Sequence, residues 1–66
     1  METYVVNRNA QPNGDHEVHK VGCGFFPSNN MPLGQFTACA PAVLVAKRVY
    51  PQSNGCFWCS NECHTT

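Results

Sequence analysis

The sequence is short and sparsely charged: 66 residues, 42% hydrophobic and 12% charged, with a formal net charge of zero. A chain of this length forms one small domain, residues 1–66, and buries only about 60% of its unfolded surface, so a metal, disulfides or a partner chain often supports such a fold. Four scattered basic residues disfavour nucleic-acid binding, and the longest apolar run, APAVLVA, is too short to span a membrane.

The first two elements are predicted to be an antiparallel hairpin. Residues 3–8 (TYVVNR) are β-branched and aromatic, which favours a strand. Pro12 and the pair Asn13–Gly14 then provide strong turn chemistry, and residues 16–21 (HEVHKV) form the returning strand.

The second half is predicted to contain one helix followed by a cysteine-rich tail. Residues 33–36 (LGQF) are a candidate third strand. Thr37 is an acceptable N-cap, and Pro41 fits only in a first turn, so the helix begins near residues 38–40 and ends near Tyr50. We therefore predict an α+β fold: a small antiparallel sheet of two or three strands, one helix and a C-terminal tail rich in cysteine.

The sequence contains five cysteines. We find no secretory signal and expect a cytoplasmic location, where thiols stay reduced. An odd number of cysteines also prevents complete intramolecular pairing, so a disulfide scaffold is the less favoured interpretation. Cys39, on the apolar face of the predicted helix, is interpreted as a small buried hydrophobic residue.

Two short-spaced pairs indicate a metal site. His19 and Cys23 form an H-x3-C pair, and Cys56 and Cys59 form a C-x2-C pair. Structural zinc sites take four Cys or His ligands, commonly as two such pairs from separate segments. The sequence therefore predicts zinc held by these four residues.

The first pair requires a bend in the chain. Four extended positions span about 13 Å, too far for two ligands of one ion. Gly22 permits the backbone angles that would bring His19 and Cys23 together. His16 lies on the opposite strand face and is expected to be exposed or hydrogen-bonded.

The tail leaves the ligand set open. The run CFWCSNECH (residues 56–64) could supply three or four ligands by itself, and Cys63 is an alternative to His19 because thiolates bind zinc well. His64 is interpreted as a disordered residue rather than a ligand.

Two resemblances bear on the fold. The segments NGDHEVH, GC, LGQF, GCFWC and CHT resemble a family of short uncharacterised bacterial proteins, which implies a small α+β fold. More distantly, residues 19–59 resemble the metal-binding module of the Ada DNA-repair methyltransferase, which implies a Cys3His zinc site. The Ada module uses four cysteines, one of which accepts a methyl group from DNA phosphate. His19 replaces the first of them here, so DNA repair is not implied.

Three functions compete. The favoured one is a zinc-binding structural or interaction module. The second is a thiol redox protein using the C-x2-C pair, which would need a lowered thiol pKa. The third is a metal-free interaction domain, in which aromatic residues contact a protein partner or a second copy of the chain; of Phe25, Phe26, Phe57 and Trp58, we expect three to lie in the core. Catalysis is not favoured, because acidic residues are few and the Glu17–His19 pair is expected to lie on alternate strand faces.

Overall fold

The computed structural model describes residues 1–65 and consists of a sheet, one α-helix and a short tail. In chain order the elements are β1 (Glu2–Asn7), β2 (His16–Lys20), β3 (Asn30–Phe36), α1 (Cys39–Lys47), β4 (Ser53–Gly55) and a 3₁₀ turn (Asn61–Cys63). The α+β class and the single helix of the described residues are as predicted.

The sheet has four strands in the order β3-β1-β2-β4. β1 pairs antiparallel with both β2 and β3, which confirms the hairpin. β4 pairs with β2 in parallel, so the sheet is mixed. The prediction of two or three antiparallel strands is therefore too low by at least one strand.

β4 is held by hydrogen bonds rather than by strand-forming residues. Its sequence, Ser-Asn-Gly, has little intrinsic preference for extended structure. Backbone bonds secure both of its ends, from the His16 N–H to the Gln52 carbonyl (2.8 Å) and from the Cys56 N–H to the Val18 carbonyl (2.9 Å). This strand carries the chain directly into Cys56.

The hairpin turn uses glycine where the backbone needs it. The Gly14 N–H donates to the Gln11 carbonyl (2.8 Å), and Gly14 itself has a φ of 93°. Asn13 Oδ1 accepts the Asp15 N–H at 2.9 Å, as in an Asx turn. The turn sets the β1–β2 register, which pairs Val6 with Val18.

The hydrophobic core lies between α1 and one face of the sheet. Val6 and Val18 from the strands contact a helix face that includes Ala42 and Ala46, and all four are fully buried. The helix ends at Lys47, earlier than the predicted end near Tyr50. A turn follows it, in which the Tyr50 N–H donates to the Ala46 carbonyl (2.8 Å). Successive residues of a strand point to opposite faces, so His19 points away from this core.

None of the helices in residues 1–65 is long and apolar enough to cross a membrane.

Candidate metal centre

Four side chains meet where the C-terminal end of β2 adjoins the end of β4. They are those of His19, Cys23, Cys56 and Cys59, and one ligand atom from each lies within 4.8 Å of all the others. The Sγ atoms of Cys23 and Cys56 are 3.9 Å apart. Cys59 Sγ is 3.9 Å from His19 Nδ1. This Cys3His cluster has a geometry that could hold a metal ion.

These distances fit a tetrahedral ion. Zinc–sulfur bonds of about 2.3 Å set tetrahedral ligand atoms about 3.8 Å apart. The separations Cys23 Sγ–Cys56 Sγ and Cys59 Sγ–His19 Nδ1, each 3.9 Å, are close to that edge. Only a small contraction of the remaining separations, none above 4.8 Å, would complete the coordination sphere.

A turn at Gly22 brings Cys23 back toward His19. The Cys23 N–H donates to the Lys20 carbonyl (3.1 Å), and Gly22 has a φ of 101°. No non-glycine residue of the described chain has a positive φ, so Val21 and Gly22 occupy the centre of a type II turn, whose third position favours glycine. The predicted bend at Gly22 is confirmed.

A second turn brings Cys59 next to Cys56. The Ser60 N–H donates to the Cys56 carbonyl at 2.9 Å, closing the loop that contains Phe57 and Trp58. Gly55 precedes it with no room for a side chain: a Cβ there would lie 2.6 Å from the Ser60 carbonyl oxygen and 2.7 Å from Cys63 Cβ. Close approach of the tail, rather than a positive φ, therefore requires glycine at this position.

Backbone N–H groups point at the sulfur atoms. The Lys20 N–H donates to Cys59 Sγ at 3.3 Å, and the Phe25 N–H donates to Cys23 Sγ at 3.4 Å. The backbone N–H groups of Cys59 and Trp58 act to lower the pKa of the Cys56 thiol. Donors of this kind favour the thiolate over the thiol, and the thiolate is the form of cysteine that binds metals.

Burial opposes charge at two members of the cluster. Cys56 is 1% exposed, and burial raises the pKa of its thiol above the ordinary value, although the backbone donors from Cys59 and Trp58 partly offset this. Burial also lowers the pKa of His19, which is 1% exposed, against the opposing effect of the Glu17 carboxylate. Without a metal, both side chains thus favour their neutral forms.

Glu17 and His19 share a strand face. Glu17 Oε1 lies 3.4 Å from His19 Nε2, so the prediction that the two lie on alternate faces is wrong. Side chains two positions apart on a strand point to the same face, and that spacing was the signal in the sequence. His16, on the other face, donates from Nδ1 to the Asn7 carbonyl (2.9 Å), as expected.

Cys63 lies outside the cluster because it forms a disulfide with Cys39. The alternative in which Cys63 replaces His19 is therefore wrong in this structure. A site built from the tail alone is wrong as well, since the disulfide leaves only Cys56 and Cys59 as free cysteines there. His64, interpreted from the sequence as disordered, donates from Nδ1 to the Gly55 carbonyl at 3.0 Å.

The disulfide also corrects the interpretation of Cys39. Cys39 is buried as predicted, at 6% exposed, but it is covalently paired rather than a free thiol. The remaining three cysteines are free and are the three in the cluster. The odd number thus results from one disulfide plus three candidate ligands.

The aromatic residues near the cluster are exposed. Phe25, Phe26, Phe57 and Trp58 are each at least 39% exposed, so the prediction that three of the four lie in the core is wrong. Trp58 stacks on Phe25 (ring centroids 5.7 Å apart) and meets Phe57 edge-on at 4.9 Å. Three of these residues, Phe25, Phe57 and Trp58, thus form one aromatic patch on the two cysteine-bearing loops.

Comparisons with protein-family models, with curated proteins and with solved structures gave no match for this chain.

Proposed function

We propose that this chain is a zinc-binding structural and interaction module without catalytic activity. The observation that carries the proposal is the convergence of His19, Cys23, Cys56 and Cys59. These residues come from two segments far apart in the sequence, so one ion would tie the end of β2 to the chain following β4.

Zinc suits the donor set better than harder cations. Three sulfurs and one imidazole are ligands of structural zinc, whereas calcium and magnesium take oxygen. With four protein ligands the site is closed, and it leaves no coordination position for a reacting water. We therefore assign the metal a structural role.

We also propose that the metal is held in the arrangement implied by the resemblance to the Ada-type module. The layout of the cluster supports this part of the proposal. His19 lies near the end of β2 and Cys23 in the turn that follows it, and the C-x2-C pair follows the helix and β4. We extend the proposal to the ligand arrangement and not to methyl transfer.

A thiol redox function is less well supported. An attacking thiolate needs a lowered pKa and access to solvent. Cys56 is buried, and burial raises its pKa. Among the described residues, the segment after Cys56 is a turn rather than the start of an α-helix, so the helix N-terminus that would lower the pKa of this thiol is not there.

The interaction part of the proposal is supported by the aromatic patch. Phe25, Phe57 and Trp58 expose large apolar surfaces beside the cluster. Exposed apolar patches commonly mark protein–protein contacts. A protein partner or a second copy of the chain fits this surface, and sedimentation of the wild type against Trp58→Ser distinguishes self-association from a monomer.

The cytoplasmic location stays a proposal drawn from the sequence. The Cys39–Cys63 disulfide argues against it, because disulfides are typical of oxidising compartments. A measurement of thiols in protein trapped with an alkylating agent inside the producing cell addresses the point.

Native mass spectrometry tests the proposed zinc site. We expect one zinc per wild-type chain, a thermal unfolding midpoint that falls when a chelator removes it, and loss of tight binding in Cys23→Ser. His64→Gln is the matched control, because His64 lies next to the site but bonds to the Gly55 carbonyl. Wild-type protein that binds no zinc when the metal is supplied would contradict the proposal.

A further inference from the structure

We infer that Glu17 is a positioning residue for His19: its carboxylate accepts a hydrogen bond from Nε2–H, which keeps the proton on Nε2 and leaves Nδ1 free to bind the metal. The inference rests on the proposed zinc site and deepens it. It names the ligating nitrogen and assigns a role to an acidic residue outside the set of four ligands.

The two nitrogens of His19 face different partners. Nδ1 lies 3.9 Å from Cys59 Sγ, on the side of the sulfurs. Nε2 lies 3.4 Å from Glu17 Oε1. The ring is thus already oriented with one nitrogen toward the metal ligands and the other toward a carboxylate.

The chemistry of imidazole makes this orientation meaningful. A neutral histidine carries one proton, on either Nδ1 or Nε2, and only the other nitrogen has a lone pair for a metal. A carboxylate beside Nε2 stabilises the proton there. Metal-binding histidines commonly donate their second N–H to a carboxylate, which fixes the tautomer and the ring.

The fold holds Glu17 in place for this role. Glu17 and His19 are two positions apart on β2, so the strand geometry puts both side chains on one face. On the edge of β2 that faces β4, the backbone of Glu17 is paired with Asn54. Its side chain is only 18% exposed, so the carboxylate sits beside the ring rather than free in solvent.

Nuclear magnetic resonance of ¹⁵N-histidine-labelled protein loaded with ¹¹³Cd(II) tests the assignment. In the wild type we expect ¹¹³Cd–¹⁵N coupling at Nδ1 of His19 and a proton on Nε2. In Glu17→Ala we expect zinc affinity to fall about 10-fold to 100-fold, together with weakening of the Nε2–H signal. Glu17→Gln, whose amide oxygen still accepts a hydrogen bond, should recover part of the affinity.

Glu2→Ala is the matched control, since Glu2 is an exposed acidic residue of the same sheet. Coupling at Nε2 in the wild type, or equal zinc affinity in Glu17→Ala and Glu2→Ala, overturns the role of Glu17 while leaving the zinc site intact. Wild-type protein that binds neither zinc nor cadmium overturns both the zinc site and this inference. If Glu17→Ala and Glu2→Ala lose the same amount of stability without metal, general destabilisation cannot account for a change seen only in the His19 signals of Glu17→Ala. Such a change then supports the role of Glu17.

Discussion

The sulfur atoms of Cys23 and Cys56 lie 3.9 Å apart although the two residues are 33 positions apart in the sequence. The turn at Gly22 positions the sulfur of Cys23, and the strand β4 positions the sulfur of Cys56, the next residue. Each of these local structures depends on a glycine, for different physical reasons, and each can be tested separately.

Gly22→Ala should weaken the metal site through backbone strain. Gly22 has a φ of 101° with no atom near its Cβ position, so the cost is conformational, about 1–3 kcal/mol. We expect weaker zinc binding by titration and lower stability in chemical denaturation. Gly24→Ala is the control, since Gly24 has open space and no positive φ; equal behaviour of the two variants would show that the turn does not need glycine.

Gly55→Ala should destabilise the protein through a steric clash. The added methyl group would meet the backbone of Ser60 and the Cβ of Cys63 at less than 3.0 Å. Overpacking of this kind typically costs about 1–3 kcal/mol. Urea denaturation measures the loss, and a stability within error of Gly24→Ala would mean that the tail can move aside without cost.

Loss of the Cys39–Cys63 disulfide should lower stability. The bond closes a loop with a sequence separation of 24 residues, for which the chain-entropy relation gives about 3.5 kcal/mol. Denaturation of the double variant Cys39→Ser/Cys63→Ser tests this. Alkylation of the denatured, unreduced wild type should modify three thiols; modification of all five cysteines would mean that the bond does not form.

The metal-free protein should lose stability as the solution becomes acidic. Burial lowers the pKa of His19 below its ordinary value of 6.5. The unfolded chain therefore binds this proton more readily, so the contribution of His19 is fully present above pH 6.5 and declines as the pH falls toward the folded pKa. Urea unfolding at several pH values measures the slope. His19→Gln should flatten it, and an unchanged slope in that variant would assign the effect to other groups.

The strands of the hairpin and the two candidate ligand pairs could be predicted because their signals are local. β-Branched residues flank Asn13–Gly14, and the ligand pairs lie within single turns. Gly22 indicated the bend because no extended chain could join His19 to Cys23. These features require only a few consecutive residues.

β4 and the disulfide could not be predicted because they depend on distant parts of the chain. Ser-Asn-Gly has no strand signal, and its pairing is provided by β2. Cys39 and Cys63 have Cα atoms 6.2 Å apart only after α1 packs on the sheet and the tail crosses β4. The exposed aromatic residues, Phe57 and Trp58 among them, show the same limit, since residue type does not reveal whether another element covers a loop.

The disulfide and the candidate metal centre enclose overlapping stretches of chain. The disulfide joins residue 39 to residue 63, and the cluster joins residue 23 to residue 56. Closing either loop brings the ends of the other nearer together, so the second closure removes less conformational entropy. In the unfolded chain, oxidation of Cys39 with Cys63 and the proposed binding of a metal by the other three cysteines and His19 would therefore be linked reciprocally: each would raise the equilibrium constant of the other by the same factor.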